Sequence, residues 1–189
     1  VSIVVITVAA LTGTLKISEG ISGFANSAIW LIVGAFLFSR GFIKTGLGKR
    51  IAYNLIAAFG SSSLRLAYAL ALSDLILAPA TPSNTARVGG VIMPITTSLA
   101  KAFGSEPQDG PRKIGSFLMQ SIYQVNTITS AMFQTSMAGN TLVAALALQS
   151  FGIGITWGDW AMAAIVPGVI ALIIICLLYT SPSPRDYAA

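Results

Sequence analysis

Apolar stretches alternate with short polar or basic punctuation along most of the chain. A spanning helix takes roughly 20 predominantly apolar residues, so a chain of this length holds about five to seven membrane-embedded segments. Val1 to Leu15 reads as a truncated span and Ser22 to Phe38 as a full one, followed by the basic stretch Arg40 to Arg50. Ile51 to Phe59 is too short to cross and is expected to lie at the interface. A turn at Gly60 to Ser63 leads into two apolar runs, Leu64 to Ala78 and Ala86 to Phe103, parted by the polar turn Pro79 to Thr85. A charged loop, Gly104 to Lys113, precedes the run Ile114 to Phe133, a polar interruption at Gln134 to Asn140, and the run Thr141 to Phe151. The last span is expected over Trp157 to Ile175, with Trp157 and Trp160 in the headgroup belt. The expected units are thus 1–63 (spans and an interfacial helix), 64–103 (a helical hairpin), 104–156 (a loop and a discontinuous helix) and 157–175 (a final span).

Composition agrees with membrane embedding. Of 189 residues 54% are hydrophobic and 9% charged, far below the quarter or so of charged residues usual in soluble domains. The net charge of +5 is spread between apolar segments and forms no patch of the kind nucleic acid requires. Arg40, Lys44, Lys49, Arg50 and Arg65 precede the Pro79–Thr85 turn, whereas Lys101, Arg112 and Lys113 follow it. The positive-inside rule puts both clusters on the cytoplasmic side, or the stromal side in a plastid. Two runs that leave and return to one side fit either two complete crossings or a re-entrant hairpin.

The ends carry two expectations. With no initiator Met and no leader pattern, the chain is expected to be cut from a longer protein. Cys176 to Asp186, CLLYTSPSPRD, matches one reading frame of a common transposase sequencing adapter, so residues 176–189 are set aside as an expected artefact. Without Cys176 no cysteine remains, and redox compartment and thiolate metal sites have no basis.

The chemistry concentrates at the two polar interruptions. Pro79 and Pro82 lack backbone N–H groups and disfavour continued helix, which frees nearby carbonyls. Broken backbone at membrane depth is tolerated where it is buried in protein or lines a watery cavity. Ser83, Asn84 and Thr85 bring hydroxyl and amide groups to the start of the second run, where N–H groups and the helix dipole favour an anion. Freed carbonyls and the oxygens of Ser83 and Asn84 equally suit a hard cation such as sodium. Paired anion and cation sites at broken helices are a secondary-transporter pattern. Gln134 to Asn140 has the same character, although nothing in the sequence makes the two breaks meet. With no histidine and with Glu19, Asp74, Glu106, Asp109 and Asp159 unclustered, neither a metal site nor a catalytic centre is predicted. Ser39, Ser73 and Thr96 read as helix-packing residues, and Gly89-Gly90 as the point where the hairpin arms approach closely.

Ser83-Asn84-Thr85, followed by apolar residues and Met93-Pro94, resembles the signature of the divalent anion/sodium symporter family of di- and tricarboxylate carriers. The strings APATPSNTARVGG (Ala78 to Gly90) and RGFIKTGLG (Arg40 to Gly48) most resemble its 2-oxoglutarate/malate translocator branch. The resemblance implies an all-α, polytopic, elevator-type carrier of two inverted repeats, homodimeric, of which this chain holds the first repeat with its re-entrant hairpin. It implies carriage of malate, succinate or 2-oxoglutarate-like dicarboxylates in a bacterial inner membrane or plastid inner envelope, with no cofactor beyond a possible sodium ion. By the same resemblance Asn84 and Thr85 touch a substrate carboxylate, Asn140 in the second break is a further substrate contact, Ser83, Asn84 and Gly139 serve sodium if it is coupled, and Thr135 and Ser136 are further candidates at that break.

Arg87 departs from the sodium-coupled pattern. A fixed positive charge within one turn of Asn84 is expected to take the place of sodium beside the substrate, making the protein an exchanger. Asp74 in the opposite arm competes for it, because at the helical rise the two differ by only roughly 5 Å in distance from the tip. Structural pairing and substrate contact weigh equally. An ion channel with a re-entrant filter is a further class, separated from a carrier by conductance in place of saturable counterflow.

Overall fold

A computed structural model of the chain describes residues 2–59, 62–105 and 114–180, which are helical with connecting turns and include no strand. Gly60, Ser61, most of the charged loop with Arg112 and Lys113, and the tail from Ser181 lie outside the described residues.

Helices α1 (Ser2–Leu11) and α2 (Ile17–Gly20) and a 3-10 turn, Ser22–Ala25, lead into α3 (Ser27–Lys44). The second span therefore begins later than its apolar edge suggests and continues through Arg40 to Lys44, placing both cations on the helix and not in a loop after it. Gly46, at φ 71°, supplies the left-handed turn that an L side chain resists and reverses the chain into α4 (Leu47–Phe59).

The first break lies between α5 (Ser63–Leu77) and α6 (Asn84–Arg87). Ser62 caps α5 by accepting from the Arg65 N–H at 3.3 Å, and Pro79 and Pro82 end it past a 3-10 turn at Ala78–Ala80. Downstream, α6 passes through a π-helical stretch, Val88–Ile92, into α7 (Met93–Ala102). Gly89 and Gly90 fall in that stretch. A Cβ on Gly90 would meet Ile43 of α3 at 3.4 Å, whereas one on Gly89 would meet nothing; the close approach is therefore made by α3 and not by the opposite hairpin arm.

Helices α8 (Ile114–Met132) and α9 (Ala138–Phe151) flank the second break, and α10 (Trp157–Thr180) closes the described chain, continuing past Ile175. The interruption is shorter than its polar composition, because Ala138, Gly139 and Asn140 already form the first turn of α9. Gly168 lets α10 close on α8, since a Cβ there would stand 2.6 Å from the Met132 side chain; small residues at such crossings are what membrane helices use to pack.

Helix α5 is the centre of the packing. Leu66, Leu70 and Leu77 join Ala52, Ile92, Ile95, Leu118 and Ile122 in one buried cluster, and Ala71 joins Val125, Met132 and Leu172 in another. By length and composition Ser63–Ala80 and Trp157–Ile175 can cross a membrane. The second is apolar and exposed almost all round, with Met162, Val166 and Ile170 all more than half exposed, a surface suited to lipid and not to water.

Candidate functional site

Each break leaves carbonyls without intrahelical donors, and side chains supply the missing bonds. In the first, Thr81 Oγ1 donates to the Leu77 carbonyl at 2.6 Å. Thr135 Oγ1, from the second break, donates to the Pro79 carbonyl at 2.8 Å. Ser83 caps α6 by accepting from the Ala86 N–H at 3.2 Å. In the second, the Asn140 amide donates to the Ser130 and Phe133 carbonyls at 2.7 and 2.9 Å, and Thr141 to the Gln134 carbonyl at 3.1 Å. Buried backbone polar groups are rarely left unpaired, and in these two short segments the sequence provides hydroxyls and amides at the required places.

Arg87 joins the breaks. It is fully buried, and its Nε donates to Asp74 Oδ1 at 2.8 Å. One terminal nitrogen donates to the Thr81 and Ser136 carbonyls, both at 3.3 Å, one in each break. The other donates to the hydroxyls of Thr129 and Ser130 at 3.2 and 3.1 Å. A guanidinium has five N–H donors, and all five are taken by the protein. Asp74 is likewise enclosed, accepting from Thr129 Oγ1 and, at 3.4 Å, from the Asn126 amide.

Two expected substrate contacts, Arg87 and Asn140, are engaged within the protein. Arg87 has no donor left for a carboxylate, and its charge is balanced by Asp74; it is a fastener between helix breaks. Asn140 spends both amide hydrogens on Ser130 and Phe133, so its remaining polar atom is the acceptor Oδ1, which suits a cation or a donor and repels a carboxylate oxygen. Thr135 and Ser136 also hold the breaks together, Ser136 through its carbonyl to Arg87 and its hydroxyl to the Ser130 and Phe133 carbonyls. Gly139 lies in the first turn of α9, half-buried.

Ser83, Asn84 and Thr85 stand apart from this network. Ser83 and Asn84 are half-buried and Thr85 is exposed. Asn84 Oδ1 accepts only from its neighbour Thr85, at 2.8 Å from the backbone N–H. The tip thus keeps hydroxyl and amide groups that the fold itself does not consume.

Asn126, Thr129 and Ser130 were not expected at the site. Their spacing of i, i+3, i+4 lines one face of α8 just before its break, and that polar stripe in an apolar helix is the signal that would have found them. The indoles also differ from a simple headgroup role: Trp157 Nε1 donates to Thr135 Oγ1 at 3.1 Å and its ring stacks on Phe133 at 5.8 Å between centroids. Trp160 Nε1 donates to the Ala131 carbonyl at 2.9 Å.

A proline-containing helix break and a hydroxyl-rich one, joined through a buried ion pair, are the site of a helical integral membrane protein. Residues 1–185 match the family described as the sodium:sulfate symporter transmembrane region, and the chain belongs to that family. It is 56% identical over 187 residues to a putative malate transporter of Bacillus subtilis, covering 98% of this chain and 39% of the relative. It is 51% identical over 169 residues to the chloroplastic dicarboxylate transporter 1 of Spinacia oleracea, covering 89% and 30%. An L-tartrate/succinate antiporter of Escherichia coli is 42% identical over 161 residues, covering 85% and 33%. The chain thus spans 30% to 39% of the length of these curated relatives.

Proposed function

We propose that the full-length protein carries C4 or C5 dicarboxylates across a bacterial inner membrane or plastid inner envelope, by exchange of one dianion for another. The observation that carries this reading is the contrast at the first break: the backbone around it is satisfied by Thr81, Thr135 and Arg87, while among the described residues the side chains of Asn84 and Thr85 bond only within that pair. Polar groups left over at a membrane-embedded break are available to a guest. In this reading Asn84 and Thr85 meet a substrate carboxylate, the α5–α7 segment is a re-entrant hairpin, and a second, inverted repeat in an elevator-type homodimer completes the site. Exchange is supported by the tartrate/succinate antiporter among the relatives, and it needs no net charge from the Arg87–Asp74 pair.

A second reading, sodium-coupled symport, is favoured by one feature. Asn140 Oδ1, directed by the two amide bonds of the same side chain, is an acceptor one residue from Gly139, which with Ser83 and Asn84 is a candidate for a sodium site. One experiment separates the two: uptake of labelled malate by the full-length protein in proteoliposomes, with and without sodium, into empty and malate-loaded vesicles. Loading-dependent, sodium-independent uptake supports exchange. Strict sodium dependence into empty vesicles defeats it, and absence of any dicarboxylate uptake defeats both.

A further inference from the structure

A cleft of about 640 Å³ opens between the C-terminal half of α3 and the start of α6, with Phe36 and Ile43 on its apolar side, Ser39, Arg40 and Lys44 as its polar groups, and Ala86 on the hairpin side. Ala86 directly follows the tip residue Thr85. Arg40 and Lys44 stand one helical turn apart, both exposed, and the ion pair formed among the described residues is that of Arg87 with Asp74. Basic residues at this end of a membrane helix are ordinary in themselves. What distinguishes the cleft is Ser39, whose side chain is 2% exposed and whose hydroxyl has no hydrogen-bond partner. Ser73, Thr96, Thr97 and Ser98 each donate to a carbonyl of their own helix; Ser39 does not, and it lines the space that the two cations face. An orphaned buried hydroxyl next to two cations that form no ion pair among the described residues is an arrangement that an anion completes.

We infer that this cleft is a capture site for the dicarboxylate, where Arg40 and Lys44 draw in one carboxylate and the Ser39 hydroxyl donates to it before the substrate passes to Asn84 and Thr85. The inference rests on the dicarboxylate reading above and adds a second anion site on the face bearing Lys49 and Arg50. A charged cleft raises local substrate concentration without contributing to the translocation step, so it acts on KM and on salt dependence.

The test is initial-rate malate uptake by the full-length protein in vesicles oriented with the Lys49–Arg50 face outward, at low and high ionic strength. R40Q/K44Q is expected to raise KM about fivefold or more at low salt with kcat retained, and to flatten the salt dependence. S39A is expected to raise KM about twofold or more. The charge-conserving R40K/K44R restores KM, which a merely structural defect would not allow. Wild-type KM in R40Q/K44Q overturns the inference, as does a KM shift seen only in vesicles containing anionic lipid, since the cleft would then hold a headgroup phosphate. Wild-type protein that takes up no dicarboxylate overturns the carrier reading and this site with it, whereas normal wild-type uptake with unchanged KM in the variants removes the capture site alone.

Discussion

Arg87 Nε lies 2.8 Å from Asp74 Oδ1, joining the two arms on either side of the Pro79–Thr85 break, with both side chains at most 1% exposed. Opposite charges removed from solvent together are stable only when their remaining donors and acceptors are also satisfied. Here they are, through Thr129, Ser130, Asn126 and the Thr81 and Ser136 carbonyls. The pair is net neutral, and because its partners come from both breaks it makes their relative position a single structural unit.

Removing one member should cost more than removing both. Arg87→Met leaves Asp74 charged and buried, and Asp74→Leu leaves Arg87 so; breaking a buried pair in this way costs about 3–5 kcal/mol. The double variant Arg87→Met/Asp74→Leu is expected to regain about half or more of that loss, because apolar side chains of similar volume replace buried ion pairs at little net cost. Thermal unfolding of the detergent-purified full-length protein over this double-mutant cycle checks it. Additive losses would mean that the two residues do not act as a pair.

Thr135 is the direct bond between breaks, donating to the Pro79 carbonyl while accepting from Trp157 Nε1. Thr135→Val keeps the shape and removes both bonds, stranding a carbonyl at a position where proline chemistry already denies it a backbone donor. The expected loss is about 1–3 kcal/mol, with Thr135→Ser retaining most of the stability. A quenching change in Trp157 fluorescence in Thr135→Val, absent in Thr135→Ser, would report the loss of the indole's acceptor.

The helix breaks were legible because a run of small polar residues interrupts apolar sequence at both places, with proline added at the first. Their meeting was not, since it depends on the azimuths of α5, α6 and α8, and periodicity gives rise along an axis more readily than rotation about it. For the same reason the sequence brought Asp74 and Arg87 to similar depth while leaving open whether the arginine faced its partner or a guest. Asn126, Thr129 and Ser130 were passed over because hydroxyls in apolar helices commonly bond their own backbone, as Ser73 and Thr96 do. The π-helical stretch at Val88–Ile92 has no signal in composition beyond Gly89-Gly90, and α3 runs on to Lys44 because its cations snorkel from a helix end and do not terminate it.

Gly168 sets how closely α10 approaches α8. A Cβ there would overlap the Met132 side chain, with its nearest atom at 2.6 Å, and Met132 is itself 2% exposed within the α5–α8–α10 cluster. Gly168→Leu is expected to cost about 1–3 kcal/mol through overpacking. Met132→Ala, which opens the same space, should recover part of the loss when combined with it, as melting of the double variant would reveal.

Asn84 and Thr85 should behave in the opposite way to Arg87. Their hydrogen bonds are local, Asn84 Oδ1 accepting from the Thr85 N–H at 2.8 Å and from its hydroxyl at 3.4 Å, so Asn84→Ala and Thr85→Ala remove little that holds the helices together. The expected stability change is within about 0.5 kcal/mol, as for substitutions away from buried networks. Ser83→Ala is intermediate because it deletes the cap on α6, a loss of about 0.5–2 kcal/mol. If the tip is the substrate's landing place, malate uptake falls by at least about tenfold in Asn84→Ala, the loss of about 1.4 kcal/mol that a hydrogen bond to a charged carboxylate supplies, while the unfolding temperature barely moves. Full transport in Asn84→Ala and Thr85→Ala together, in a protein that melts like wild type, would remove the tip from the site. A fall in melting temperature matching that of Arg87→Met would instead assign these residues to the scaffold. Measuring both quantities on the same preparations keeps the two outcomes apart.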